Sequence, residues 1–215
     1  MMDEIFARIE GDIAALPRPL VVGINGAYTS GKTTFAESLR THLEQAGHNV
    51  QLIHYDDFHH PFHTIQFTPE TEIDTFYHRA FNPKKLLGEV LEPLRRDGEL
   101  HQTFSCVNLG TGKFDNEVRV DINPDTVVLL EGVLLLREPI LEHLGYSIYL
   151  RISPDEILRR GKLRDVPRFG AAILEKFSTR YIPVHLHYEA DCRPQDIADL
   201  VIDNEHPLQP RMLSR

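Results

Sequence analysis

An α/β fold, with a parallel sheet wrapped by helices, is what this sequence predicts, and three observations predict it. An apolar run at residues 20–24 feeds directly into Gly26-Ala27-Tyr28-Thr29-Ser30-Gly31-Lys32-Thr33, and helix-forming sequence follows. Four further short apolar runs, at 50–55, 127–130, 146–152 and 199–203, alternate with segments of helical spacing. Such alternation marks βαβ units, whose crossovers are right-handed and whose helices cover both faces of the sheet. Residues 100–107 and 117–122 are strand-like around Gly110-Thr111-Gly112-Lys113, which predicts a β-hairpin insert apart from the parallel strands.

The stretch 26–33 reads G-x-x-x-x-G-K-[ST] between a buried strand and a helix, the context that gives a P-loop match its meaning. Glycines allow a tight turn in which successive N–H groups point into one concavity, and the helix that follows adds its positive end. The expected ligand is a nucleoside triphosphate. Gly26, Ala27, Tyr28, Thr29, Ser30, Gly31, Lys32, Thr33 and Thr34 are the candidate ATP contacts, with Lys32 reaching the β/γ-phosphates and Thr33 serving Mg²⁺. The fold class is thus a P-loop NTPase with five parallel strands.

Taken in order, Ile5, Phe6, Ile9 and Ile13 give residues 3–15 an amphipathic helix, expected to cover the sheet edge. The helix after the P-loop runs to about Ala46 and stops at Gly47. The strand at 50–55 ends on Asp56-Asp57-Phe58, and open α/β sheets bind ligands at the carboxyl ends of their strands. Asp56 is therefore the candidate base, with Asp57 pointing the other way. His54, His59, His60 and His63 crowd this stretch without a metal-binding pattern, so loop histidines beside a polar pocket are expected rather than zinc ligands. Residues 61–81, rich in Phe and Tyr, suit a substrate-binding wall, and Tyr77, His78, Phe104 and Asp57 are the candidate acceptor contacts. Asn82-Pro83 starts a helix with Leu86, Leu87, Val90, Leu91 and Leu94 on one face, and Asp97-Gly98 ends it.

After the strand at 127–130, which ends at Glu131-Gly132, a helix is expected near 138–144. Ser153-Pro154-Asp155-Glu156 is a capping box with proline at the first helical position. The helix it opens sets Arg160 and Arg164 four residues apart on one face. A second helix from about Ala171 to the region of Tyr188 is expected to kink at Pro183. A polar tail follows the strand at 199–203.

The composition of the 215 residues, 41% hydrophobic and 26% charged, is that of one globular domain. The expected division of residues 1–215 is a substrate-side insert at about 57–122 and a lid at about 159–170. A net charge of -9 argues against nucleic acid as the main partner, since binding to a phosphate backbone needs a basic face. Cys106 and Cys192 form neither a disulfide framework nor a metal-ligand spacing. Neither a signal peptide nor an apolar run long enough to span a bilayer is seen, so a cytoplasmic protein without membrane partners is expected. A homo-oligomer is left open.

Five segments together resemble the uridine kinase group of P-loop kinases, relatives of phosphoribulokinase and pantothenate kinase. They are the P-loop, Asp56-Asp57-Phe58, Leu130-Glu131-Gly132-Val133-Leu134, Arg160-x-x-x-Arg164-Asp165, and Ala198-Asp199-Leu200-Val201-Ile202-Asp203-Asn204. They occur in the same order from about Leu20 to Asn204. The resemblance implies sheet order 2-3-1-4-5, Asp56 as catalytic base, Thr33 and Glu131 serving magnesium, and Arg160 and Arg164 in a mobile lid. Asp56 touching the metal is a further expectation.

Two departures bear on the acceptor. Uridine kinases carry a segment like N-F-D-H-P-x-A-F-D, where this chain has Thr75-Phe76-Tyr77-His78-Arg79-Ala80-Phe81-Asn82 and lacks the ribose-binding aspartate. Their P-x-Y-D-F motif is replaced by Thr103-Phe104-Ser105-Cys106-Val107. The expected activity is ATP-dependent phosphorylation of a hydroxyl on a nucleoside or other small metabolite. The competing expectation is a nucleotide-binding or nucleotide-hydrolysing regulatory protein with no small acceptor, against which the absence of an N-K-x-D segment weighs in part.

Overall fold

A computed structural model of the chain describes residues 2–108 and 110–213. Its strands are β1 (Leu20–Gly26), β2 (Val50–His54), β3 (Leu100–Asn108), β4 (Lys113–Ile122), β5 (Val127–Gly132), β6 (Tyr146–Arg151), β7 (Leu200–Asp203) and β8 (Arg211–Leu213). Helices are α1 (Met2–Ile13), α2 (Lys32–Gln45), α3 (Glu72–Arg79), α4 (Pro83–Leu86), α5 (Glu92–Asp97), α6 (Pro154–Phe169), α7 (Ile173–Lys176), α8 (Ile182–Cys192) and α9 (Pro194–Ile197). The main sheet runs β2-β5-β1-β6-β7-β8, and β3 pairs with β4 alone in an antiparallel hairpin. With the hairpin set aside, the parallel strands stand in the order 2-3-1-4-5.

β8 corrects the expectation of five strands and a polar tail. It adds antiparallel to β7, pairing Val201 with Leu213 and Asp203 with Arg211. Its three residues hold little apolar patterning, so the pairing comes from the open edge that β7 offers.

Alternation along β1 divides the core in two. Leu20, Val22 and Ile24 face a cluster with Phe35, Leu39 and Leu43 of α2 and with Ile5, Phe6, Ile9 and Ile13 of α1. α1 is thus part of a helical layer on one face rather than a cover for the edge. On the opposite face Val21 joins Ile53, Leu130 and Tyr149 beneath α3–α5, α8 and the hairpin.

Three helix expectations change. Where a helix was expected at 138–144 there is only a 3₁₀ turn, Leu141–His143. Pro139 and Gly145 bound a segment too short to offset the cost of helix nucleation. Pro183 sits inside a helical run that continues from Ile173 to Cys192, so the expected interruption is a change of helical type rather than a break. The irregularity lies just before it, a π-helical turn at Phe177–Tyr181. The same arrangement recurs at Leu87–Leu91, whose π turn precedes Pro93 at the start of α5. In both, the carbonyl four residues before the proline, Thr179 or Glu89, would clash with its ring in a regular α-helix, and the wider turn relieves that clash.

The caps follow the sequence. Asn82 accepts a hydrogen bond from Lys85 N, and Gly98 closes α5 at φ 76. Ser153 Oγ accepts from Glu156 N, but Glu156 completes no box; it binds Arg159 and Arg160, and Glu205 accepts the hydrogen bond from Ser153 N. α6 runs on through Pro167, so residues 159–169 of the expected lid are the continuation of one helix. Gly161 lets it approach closely, since a Cβ there would lie 2.3 Å from the Phe177 ring.

Candidate active site

β1 delivers the chain to the phosphate loop at Gly26, where a side chain is excluded: a Cβ would lie 2.7 Å from Leu150 O. The loop then takes positive φ at Thr29 and Gly31 before α2 begins at Lys32. Lys32 is buried, and its Nζ donates to Ala27 O at 2.7 Å, closing the loop on itself. Burial holds its pKa below the ordinary lysine value, with Glu131 and Asp56 opposing that shift.

Thr33, one residue into α2, donates from Oγ1 to Glu131 Oε1 at 3.1 Å. Glu131 sits near the end of β5, in register with Ile24 of β1 and His54 of β2. His54 Nδ1 lies 2.7 Å from the same oxygen. Burial alone would raise the pKa of Glu131, but the His54 hydrogen bond, Lys32 and Thr33 outweigh it and the carboxyl stays below its usual range. His54 is raised in turn, first by that hydrogen bond. No local pattern signals this link, because residues 77 positions apart meet only through strand order.

Asp56 stands on a 3₁₀ turn, Tyr55–Phe58, rather than on a strand end. Its carboxylate is open to solvent in a cleft yet walled in by protein on its other sides. It is the surrounding protein that governs its proton affinity. Lost hydration raises the pKa first, the charge of Glu131 adds to this, and Lys32 opposes it. Asp57 points elsewhere, toward the hairpin, where Asn116 Nδ2 donates to it at 3.4 Å.

Two clefts meet here. One, of about 360 Å³, is bounded by Lys32, Thr33, Thr34, Arg160, Asn204 and Pro207. The other, of about 730 Å³, is bounded by Asp56, Tyr28, His59, Phe62, Arg168 and Tyr181. Arg164 borders both. Its guanidinium is held by Asp165 at 2.6 and 2.9 Å, which keeps the head group near the junction.

The expected site residues divide accordingly. Lys32, Thr33, Asp56, Glu131 and Arg164 come together. Arg160 is turned to another use: it donates to the carbonyls of Thr29, Ser30, Asn204 and Glu205 and pairs with Glu156 at 2.6 Å. Tyr77, His78, Phe104 and Asp57 line neither cleft. Tyr77 is buried on the far side of α3, its hydroxyl donating to Asp191 at 2.6 Å; His78 is exposed beside it. Phe104 packs on Phe58 under the hairpin. The reason is helical geometry: Phe76 and not Tyr77 faces Tyr28 and Tyr181. Tyr28, placed with the nucleotide contacts, sends its ring to the larger cleft and stacks on Tyr181 at 4.2 Å. The histidines do not cluster: among the described residues no group of three or more His, Cys, Asp or Glu could hold a metal ion.

A family model described as the phosphoribulokinase / uridine kinase family matches residues 21–206. This chain belongs to that family. The family's uridine kinase from Listeria monocytogenes is 26% identical over 190 residues, covering 86% of this chain and 87% of its own length. One from Aliivibrio salmonicida is 30% identical over 181 residues, covering 79% and 80%. Among solved structures, a possible uridine kinase from Bacillus stearothermophilus superimposes with a TM-score of 0.71 at 22% identity, covering 93% of this chain and 98% of that one. A D-glycerate 3-kinase from Cryptococcus neoformans has a TM-score of 0.65 at 14% identity, with 99% of each chain covered. These likenesses carry the fold. As a phosphoribulokinase/uridine kinase family member, the chain is a kinase that phosphorylates a hydroxyl group. Among the described residues no helix is long and apolar enough to cross a membrane.

Proposed function

We propose that this kinase transfers the γ-phosphoryl of ATP, with Mg²⁺, to a hydroxyl of a small polar metabolite bound in the larger cleft, and that uridine and cytidine are not its preferred acceptors. The observation that carries the reading is the shared wall: Arg164 borders both the phosphate-loop cleft and the cleft that holds Asp56. A nucleotide in the first and an acceptor in the second would meet beside it.

The phosphate loop and the start of α2 supply N–H groups and Lys32 for the triphosphate. Thr33 and Glu131 offer the hard oxygen donors that Mg²⁺ favours, and Glu131 is kept ionised by its neighbours. They would hold the ion directly or through water, with Asp56 beside them. When bound, Mg²⁺ neutralises charge on the transferred group. The acceptor oxygen forms a bond to the γ-phosphorus as the bond from that phosphorus to the β-bridging oxygen breaks. The hydroxyl proton passes to the Asp56 carboxylate and ADP leaves. The raised pKa of Asp56 suits it to this, since a base works best when its pKa approaches the operating pH.

Two placements support the reading on uridine and cytidine. Tyr77 and His78, in the segment that replaces the ribose-binding one, are directed away from the cleft, and Phe104 is packed in the core. A purely regulatory nucleotide-binding protein would have no use for a second cleft with a carboxylate at its floor.

An assay of ADP release over nucleosides, polyols and hydroxy acids, with and without EDTA, tests the reading. Acceptor-dependent, EDTA-sensitive turnover that is lost in Asp56→Asn is expected. Turnover that ignores every acceptor would overturn it, and uridine matching the best acceptor in kcat/KM would overturn the statement on specificity.

A further inference from the structure

β2 and β5 pair in register, and that pairing sets His54 opposite Glu131. Residues paired across two strands send their side chains to the same face, so the imidazole and the carboxylate meet there. An ionised carboxylate can only accept, so His54 Nδ1 carries the proton and donates to Glu131 Oε1 at 2.7 Å. Thr33 Oγ1 donates to the same oxygen at 3.1 Å. Two donors therefore occupy both lone pairs of Oε1.

Oε2 of Glu131 stands differently. Among the described residues nothing donates to it, and unlike Ser30 Oγ in the phosphate loop it is not sealed from solvent. A residue only 5% exposed thus keeps one carboxylate oxygen saturated and the other open. With its Nδ1 proton committed to Oε1, His54 acts through Glu131.

Divalent ions differ in what they ask of such a group. Mg²⁺ demands near-ideal octahedral geometry, keeps several waters, and leaves little room for a carboxylate that grips with both oxygens. Ca²⁺ takes more ligands at longer distances and accepts a bidentate carboxylate. A carboxylate pinned through one oxygen offers the other alone, directly or through water; one that is free to turn offers both. Thr33 cannot do the pinning by itself, because the carboxylate can pivot about a single hydrogen bond.

We propose that His54 is a positioning residue for metal choice: by pinning Oε1 of Glu131 it confines the carboxylate to one open oxygen, Oε2, and so favours Mg²⁺ over Ca²⁺ beside the nucleotide. This rests on the kinase reading above, in which Thr33 and Glu131 serve the ion.

The test uses the full chain and the β,γ-imido analogue of ATP, which binds without transfer, so no readout depends on turnover. Calorimetric titration in saturating Mg²⁺, in saturating Ca²⁺ and in EDTA gives what each ion adds to nucleotide affinity. Two variants separate the hydrogen bond from the bulk of the ring. His54→Leu removes the donor, and His54→Asn keeps an N–H at the place of Nδ1. His54 is partly exposed at the end of the edge strand β2, so neither change threatens the fold. In His54→Leu the gain from Mg²⁺ should fall about tenfold, the lower end of what losing a hydrogen-bond partner of a ligating carboxylate costs, and the gain from Ca²⁺ should stay within about twofold. Affinity in EDTA should hold within about twofold, and His54→Asn should bring the ratio of the two gains back to within about threefold of the native ratio. No change in His54→Leu, an equal fall for both ions, or a shifted ratio that His54→Asn does not recover would overturn the proposal and leave the kinase reading standing. A loss in EDTA as large as that in Mg²⁺ would do the same, since it would make His54 a support of the phosphate loop. Native affinity that is the same in EDTA as in Mg²⁺ would overturn the proposal together with the magnesium part of that reading.

Discussion

The smaller cleft is framed mainly by the end of the phosphate loop and the helix it opens, from Thr29 to Ser38, with Arg160, Arg164 and Asn204 beside them. The larger draws single side chains from residues 28, 56–62, 110 and 164–181, segments joined only by the packing of α6–α8 over the turn after β2. In the first, a backbone loop makes the wall, so a short pattern of glycines, lysine and threonine defines the geometry. In the second, scattered side chains form the wall, and a rotation of one residue on α3 decides whether Phe76 or Tyr77 packs behind Tyr28 and Tyr181. Chemistry held by a backbone motif is local in sequence; specificity held by side chains on packed helices is not.

Asp56→Asn would sharpen this contrast most. It should lower kcat by about 10²–10⁴ while leaving the ATP dissociation constant nearly unchanged, the usual cost of losing a general base. Asp57→Asn, turned toward Asn116, should cost far less. Kinetic and binding measurements on both variants decide it, and a greater loss of turnover at Asp57 would move the base into the hairpin side of the molecule.

Lys32→Ala comes next, with an expected loss of roughly 10²–10³ in kcat and weaker triphosphate binding, as for removal of one preorganised charge at the transferred group. The same far-ultraviolet dichroism spectrum in both proteins should show the fold retained. Normal turnover would mean that the small cleft is not the nucleotide site.

A pH experiment probes the larger cleft. Burial lowers the folded-state pKa of His59 to about 4, against about 6.5 for an ordinary histidine. Above pH 6.5 the ring is neutral in both states. Between 6.5 and 4 the unfolded chain binds a proton that the folded chain refuses, so stability falls with falling pH, by up to about 3 kcal/mol. Denaturant unfolding at pH 7.5 and 4.5 should show a smaller drop in His59→Phe than in the native chain. Equal drops would place the ring in a wetter setting.

The smallest effect is expected at Tyr77→Phe. Loss of the 2.6 Å bond to Asp191 should cost about 1 kcal/mol of stability and leave KM for acceptor and ATP unaltered. A higher acceptor KM would bring the outer side of α3 into the site.

Much of the fold was legible. The five parallel strands, the hairpin and the capping residues Asn82, Gly98 and Ser153 each carry a local signal of period, turn or cap. β8 was not legible, because three residues paired to an open edge need no pattern of their own. The two π turns escaped notice because the pattern of apolar residues runs through them, and only the position of Pro93 and Pro183 hints at them. Within the candidate site, the P-loop, Asp56, Glu131 and Arg164 carry a signal in the sequence, and the fold brings them together. His59 was seen only as one member of a histidine run, and nothing in that run distinguishes the one whose Nδ1 meets a carbonyl.

Arg160 and Asn204 set a timetable for synthesis. Asn204 Nδ2 donates to Ser30 O at 2.7 Å across 174 residues, and Arg160 joins the carbonyls of Thr29 and Ser30 to those of Asn204 and Glu205. The phosphate loop is synthesised before both of these supports. At about 5–20 residues per second, roughly ten to thirty-five seconds separate the two. Until Asn204 has been synthesised, the loop lacks the hydrogen bonds that tie the carbonyls of Thr29 and Ser30 to the last strand region.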